Sequence, residues 1–250
     1  MGVRGAMTNI TTAQTARVRS RLAFTLGTVA GFVDGVGFLA LFGLFITHMS
    51  GNSTHLGVGI GTGVWSDAIA YGYPIVVFVL AVAVGALLVE SLVRHDVRSS
   101  LAVLLGVEAA LLVALQALGA WLDPSDDLVR NTAPFFVLAG VAVTAMGLQS
   151  ATLRRVGGMT VHTTFITGML TSVGVELATV ARAGPGVERT QAHHRLRLVG
   201  GVWFAYLAGA VAGAFLHRHL RLWALAIPTA ALIVSAVVAY RRRVAADGRE

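Results

Sequence analysis

Six apolar stretches of about twenty residues, set apart by short arginine-bearing loops, constrain this chain more than any other feature. They lie at about 22–45, 72–93, 99–120, 133–153, 198–217 and 222–240. A helix needs about 20 apolar residues to cross a hydrocarbon core of ~30 Å. A bilayer also forces every backbone polar group to be satisfied inside its own segment, which leaves helices or closed barrels. The expected fold class is therefore an all-α membrane protein, with about six transmembrane helices.

Composition agrees. Of 250 residues, 56% are hydrophobic and 12% charged, against roughly 25% charged in soluble domains. Mean hydropathy is +0.75. Nineteen basic and 12 acidic residues are too few to cover a water-facing surface. The chain has no cysteine, so disulfides, thiolate nucleophiles and thiolate metal sites are excluded. The net charge of +7 does not point to nucleic acid, because the arginines form short clusters between apolar runs, with no basic stripe interleaved with aromatics. Residues 1–21 read as a polar, basic arm. The run that follows is too long for a signal-peptide core and holds Asp34 in its middle, so it reads as a span. Residues 22–240 form one membrane domain, and 241–250 a basic tail.

Two shorter segments rich in Gly, Ser and Thr, at about 50–66 and 163–181, interrupt the spans. Arginine placement bears on what they do. If each enters and leaves on one side, sixteen of the nineteen arginines lie inside, and Arg130, Arg218 and Arg221 outside. If both cross fully, the split falls to thirteen and six. The positive-inside rule favours the first arrangement, with two short re-entrant or broken helices and both termini cytoplasmic.

An internal repeat points the same way. "GFVDGVGFLALFGLFITHMSGNSTHLGVG" begins at Gly31, and "GLQSATLRRVGGMTVHTTFITGMLTSVGVEL" at Gly147. Gly31 aligns with Gly147 and Gly43 with Gly158, while Ser50–Gly57 aligns with Thr167–Gly174 at one residue of offset. Each half, about 22–120 and 133–240, carries three spans. An odd number sets the halves in opposite orientation, the 3+3 inverted repeat of many transporters and channels. Chance similarity among Gly-rich helices is the alternative.

At these motifs the chain resembles the YoaK-like bacterial membrane proteins, long catalogued as a domain of unknown function. The likeness rests on "AGFVDGVGFLALFGLFITHMSGN" (Ala30–Asn52), "GLQSATLRR" and "TTFITGMLTSVGVEL", and runs from about residue 20 to 240. Gly35 stands where that family's pattern has Ala, and Ser150 where it has Asn. The resemblance implies a multi-pass protein of the bacterial plasma (inner) membrane and names no substrate.

Among single residues, Asp34 is the most informative. An intramembrane carboxylate is expensive unless it faces the protein interior, is paired, or is protonated. It fits a proton- or cation-coupling site or a solute contact; it also fits a structural hydrogen bond. Glu108 and Glu176 carry the same two readings, whereas Glu90 precedes Arg94 by one turn and suits an ion pair. The turns holding Ser50, Gly51, Asn52 and Thr54, and Thr167, Gly168 and Thr171, could expose backbone N–H groups to a polar solute where their tips meet near the midplane. They could equally be small-residue packing seams. Gln149 is expected beside them. His48, His55 and His162 suit a proton relay better than a metal site, since no acidic or thiolate ligand shares their spacing. The Gly27/Gly31/Gly35 and Gly209/Gly213 spacings read as helix seams.

No catalytic motif is present, and the loops are too short for an extramembrane catalytic domain. The expectation is a non-enzymatic small-solute transporter or channel, with neither cofactor nor metal and with a midplane polar site at the repeat interface. Its partners are the bilayer and an unidentified solute, with self-association left open. The alternative is a non-transporting scaffold or partner subunit.

Overall fold

The computed structural model describes residues 2–95, 97, 99–123, 128–156 and 166–247. These residues form eight α-helices and no strand: α1 (Gly2–Ala40), α2 (Met49–Thr62), α3 (Trp65–Arg94), α4 (Ser100–Leu122), α5 (Ala133–Val156), α6 (Ile166–Arg182), α7 (Val187–Leu220) and α8 (Ala226–Asp247). A 3-10 turn, Arg221–Leu225, joins the last two. Five segments are long and apolar enough to cross a membrane: Ser20–Ala40, Trp65–Arg94, Ser100–Leu122, Ala133–Thr152 and Val187–Arg242, the last containing both α7 and α8. The polar arm expected at 1–21 continues into α1 as helix.

The spans form an inner pair and an outer shell. In their apolar windows α1 is 61% and α5 67% buried, against 17% for α3. Leu26, Val33, Phe135, Leu138 and Met146 are almost wholly enclosed. Along α3, Val76, Val79, Leu80, Val84 and Leu87 are about 60% exposed or more. A contiguous apolar face of that size is not tolerated in water and suits contact with lipid.

Small residues fix the pairing. α1 packs chiefly against α7, and α3 against α5. A Cβ placed on Gly31 would overlap the Tyr206 carbonyl oxygen, and one on Gly35 that of Ala210. On the facing helix, Gly209 and Gly213 meet the Thr28 and Phe32 carbonyls in the same way. The numbers rise together, so α1 and α7 run parallel at backbone contact, the close approach that GxxxG spacing permits. Gly147 on Phe78 and Ala81, with Gly85 on Leu148 and Ala151, makes α3 and α5 parallel too.

The two short helices fold back on their successors. Gly63, at φ 73°, ends α2 in the left-handed region that a residue without Cβ adopts at no steric cost. α2 then runs antiparallel beside the start of α3, with Leu56 against Gly72 and Gly59 against Ala68. Likewise α6 lies antiparallel on α7, with Met169 beside Val202 and Glu176 3.4 Å from Arg195. The Phe42 and Phe135 ring centroids are 6.2 Å apart, and Arg130 pairs with Asp67 at 3.0 Å. The end of α1 and the starts of α3 and α5 therefore share one end of the molecule.

Candidate functional site

The chain leaves α1 abruptly. Phe42 (φ 54°) and Gly43 (φ 78°) are both left-handed, and the Gly43 N–H reaches back to the Phe38 carbonyl at 2.8 Å. This closure turns residues 44–48 inward, alongside the helix they have left. There Asp34, 6% exposed, organises them. Its Oδ1 accepts from the backbone N–H of Ile46 at 3.1 Å and of Thr47 at 2.9 Å. Its Oδ2 accepts from the Thr47 hydroxyl and, at 2.6 Å, from the Tyr206 hydroxyl of α7. His48 Nδ1 lies 2.9 Å from the same oxygen. Five donors thus converge on one carboxylate.

Carboxylate geometry sets the histidine. An ionised carboxylate only accepts, so the His48 Nδ1 facing it carries a proton. Nδ1 also lies 3.0 Å from Thr47 Oγ1 and 3.4 Å from Tyr206 Oη. The ring stands edge-on to Tyr206, with centroids 5.4 Å apart, and its side chain is 21% exposed. An imidazole held at Nδ1 by a buried carboxylate presents Nε2 as its exchangeable nitrogen. The arrangement can take up and release a proton, or donate a hydrogen bond to a polar solute.

Asn52 is fully buried and holds the turn. Its Nδ2 donates to the Phe45 carbonyl at 2.7 Å, and its Oδ1 accepts from the Phe45 N–H at 3.2 Å. Gly51 makes room for the Phe45 ring, which a Cβ would meet at 2.7 Å. These two residues brace the inward turn and do not face open space.

The other expected site residues lie elsewhere. Ser50 and Thr54 are exposed on α2, and the Thr54 hydroxyl bonds back to the Ser50 carbonyl at 3.1 Å. On α6, Thr167 and Thr171 are also exposed, with the Thr171 hydroxyl on the Thr167 carbonyl at 2.9 Å. Gly168 beside them is half-buried, and Glu176 pairs with Arg195. Among the described residues α2 and α6 do not touch, so the expected meeting of the two tips is absent there. His55 stacks on Tyr71 at 4.3 Å, away from His48, and Arg130 covers the same Tyr71 ring. Gln149 is buried against Glu108 at 2.9 Å and not beside Asp34. His162 lies outside the described residues.

Sequence reasoning missed Tyr206 and Thr47. Tyr206 had a legible signal: it shares a helix face with Gly209 and Gly213, so it lies on the small-residue seam against α1. Thr47 carried none, since only the inward turn gives it a partner.

Residues 22–238 match the family described as "Protein of unknown function (DUF1275)". The chain is 26% identical over 158 residues to "UPF0700 transmembrane protein YoaK" of Bacillus subtilis (strain 168). That match covers 63% of this chain and 67% of the relative. No solved structure matches.

Proposed function

We propose that this chain, which belongs to the DUF1275 family of transmembrane proteins, is a proton-linked transporter or channel for a small polar solute in the bacterial plasma membrane. The observation that carries this reading is the Asp34–His48–Tyr206 cluster. It is an ionisable group in the first span, bonded across to α7 and reached by a partly exposed histidine. Asp34 lies fourteen residues beyond Ser20 and six before Ala40, about 21 Å and 9 Å from the two ends of the span on a helix rising ~1.5 Å per residue. Intramembrane carboxylates kept at such depth mark ion and proton pathways.

The pairing of helices supports an inverted 3+3 repeat. Exchanging the halves maps α1 on α5, α2 on α6, α3 on α7 and α4 on α8. The α1–α7 and α3–α5 seams then change places, as do the α2–α3 and α6–α7 hairpins, while α4–α8 maps on itself. Six spans with α2 and α6 re-entrant keep the end of α1 on the side where α3 begins, in line with the Phe42–Phe135 contact. The repeat aligns Asp34 with Ser150, so the carboxylate chemistry belongs to one half alone.

A second reading has an observation in its favour. The exposed hydroxyls of Ser53, Thr54, Thr171 and Ser172 are satisfied by their own helix backbones, which leaves small-residue faces suited to a partner helix or a second copy. Thermal-shift screening of purified protein against polar solutes, followed by flux in proteoliposomes, separates the two. A true ligand at about 100 times its Kd stabilises the protein by about 2.7 kcal/mol. Solute-dependent stabilisation and flux, both lost in His48→Ala, support transport. Absence of both across a broad solute set, in folded protein, leaves the partner-subunit reading.

A further inference from the structure

A second buried acid lies apart from the Asp34 cluster. Glu108 of α4 is 1% exposed and Gln149 of α5 is fully enclosed. Gln149 Nε2 donates to Glu108 Oε1 at 2.9 Å. The other end of that amide, Gln149 Oε1, is buried with no hydrogen-bond partner. The pair sits in apolar surroundings, where Val89, Leu104 and Leu148 form a closed cluster with Leu88, Leu92 and Leu111 packed on it.

Among the described residues no ion pair includes Glu108. On α3 the nearest ionisable groups, Glu90 and Arg94, bind each other at 2.6 Å. Arg241 and Tyr240 of α8 are exposed, and the polar contact between α4 and α8 is Gln116 with Thr229, two turns away from Glu108. A carboxylate in such a place with a single neutral amide donor loses its hydration without compensation, whereas the un-ionised acid loses far less. The orphaned amide oxygen makes the complementary demand. It needs a donor, because a buried acceptor without one has given up its bond to water for nothing.

We propose that Glu108 and Gln149 form a proton-binding site: Glu108 is held as the neutral carboxylic acid, and its O–H donates to Gln149 Oε1 while Gln149 Nε2 donates back. One proton then satisfies both groups in a cyclic acid–amide pair joining α4 to α5. The site is independent of Asp34 and stands whether or not the chain transports a solute. A monovalent cation held by the same oxygens is the alternative occupant, and the test distinguishes that case.

The test uses full-length protein in lipid. Infrared difference spectra at neutral pH should show a carboxylic-acid C=O band that shifts in D2O and disappears in Glu108→Gln. N,N′-dicyclohexylcarbodiimide, which reacts with protonated carboxyls in apolar settings, should label Glu108 in the same sample. Gln149→Leu keeps the acid but removes both bonds, so its band should move to higher frequency; this arm also serves if Glu108→Gln fails to fold. A neutral-pH spectrum with no such band in wild type overturns the proposal. So does a band unmoved by either substitution, or one replaced by a carboxylate signal that responds to Na+ or K+.

Discussion

Replacing Asp34 by Ala should destabilise the protein far more than replacing it by Asn, because the inward turn hangs on its carboxylate. In Asp34→Ala the N–H groups of Ile46 and Thr47 lose their acceptor while staying buried. Each orphaned group costs roughly 1–3 kcal/mol, so the two cost about 4 kcal/mol. The Thr47 and Tyr206 hydroxyls and His48 Nδ1 lose the same partner. At about 1 kcal/mol or more for each of these three, a total near 7 kcal/mol follows. In Asp34→Asn the amide oxygen keeps both backbone bonds. The hydroxyls can rotate to accept from the new NH2, and the charge assistance is lost, at about 1 kcal/mol for each of the three contacts on Oδ2. At ~2–4 °C per kcal/mol for a chain of this size, Asp34→Ala should unfold roughly 14–28 °C below wild type and Asp34→Asn roughly 6–12 °C below. Thermal unfolding in detergent, followed by fluorescence-detected size exclusion, reads both. Equal shifts for the two variants, or a shift under about 2 °C for Asp34→Ala, would refute the reasoning, since neither is compatible with two backbone groups depending on Oδ1.

Three further outcomes are expected. Gly31→Ala should weaken or abolish folding, because its Cβ overlaps a backbone carbonyl of α7, whereas Gly57→Ala, with nothing within 4 Å, should be neutral or stabilise by up to ~1 kcal/mol in the same unfolding assay. Single cysteines at Ser125 and Ser99 should label from opposite sides, Ser125 alone reacting with an impermeant external reagent; equal or reversed labelling contradicts the proposed topology. A cysteine replacing partly exposed His48 should react with small hydrophilic thiol reagents, and one replacing fully buried Asn52 should stay inert; the opposite order contradicts the placement of the turn.

The elements legible in the sequence were those whose cause is local. Apolar runs gave the α3, α4 and α5 spans to within a few residues, apart from the amphiphilic first turns of α3, and the GxxxG spacings marked packing seams on α1 and α7 without saying that the two helices pair. Boundaries slipped where tertiary contacts decide. α1 stops at Ala40 and not near 45 because Asp34 draws Ile46 and Thr47 inward. α7 starts at Val187 and not near 198, its polar first turns helical yet largely exposed, with Ala192 buried and Arg195 paired to Glu176 of α6. At the site, burial cost singled out Asp34, and position suggested His48. The side chain of Asn52 looked like a solute contact from its neighbours alone, yet its amide matches the N–H and C=O of Phe45. No periodicity encodes that match. Gln149 lies one residue from the position aligned with Asp34, and on a helix one residue is a rotation of about 100°, enough to aim it at α4 instead.

The central claim is that the Asp34–His48–Tyr206 cluster moves protons with a solute, and proton movement is its direct test. Wild type and His48→Ala, both verified as folded, are reconstituted into proteoliposomes enclosing a pH-sensitive dye. A solute found by thermal shift is then added outside under an imposed pH gradient. The account predicts solute-dependent dissipation of the gradient by wild type and none above empty liposomes by His48→Ala. Wild type that carries the solute with no proton movement, or a His48→Ala protein that moves protons as wild type does, would contradict it.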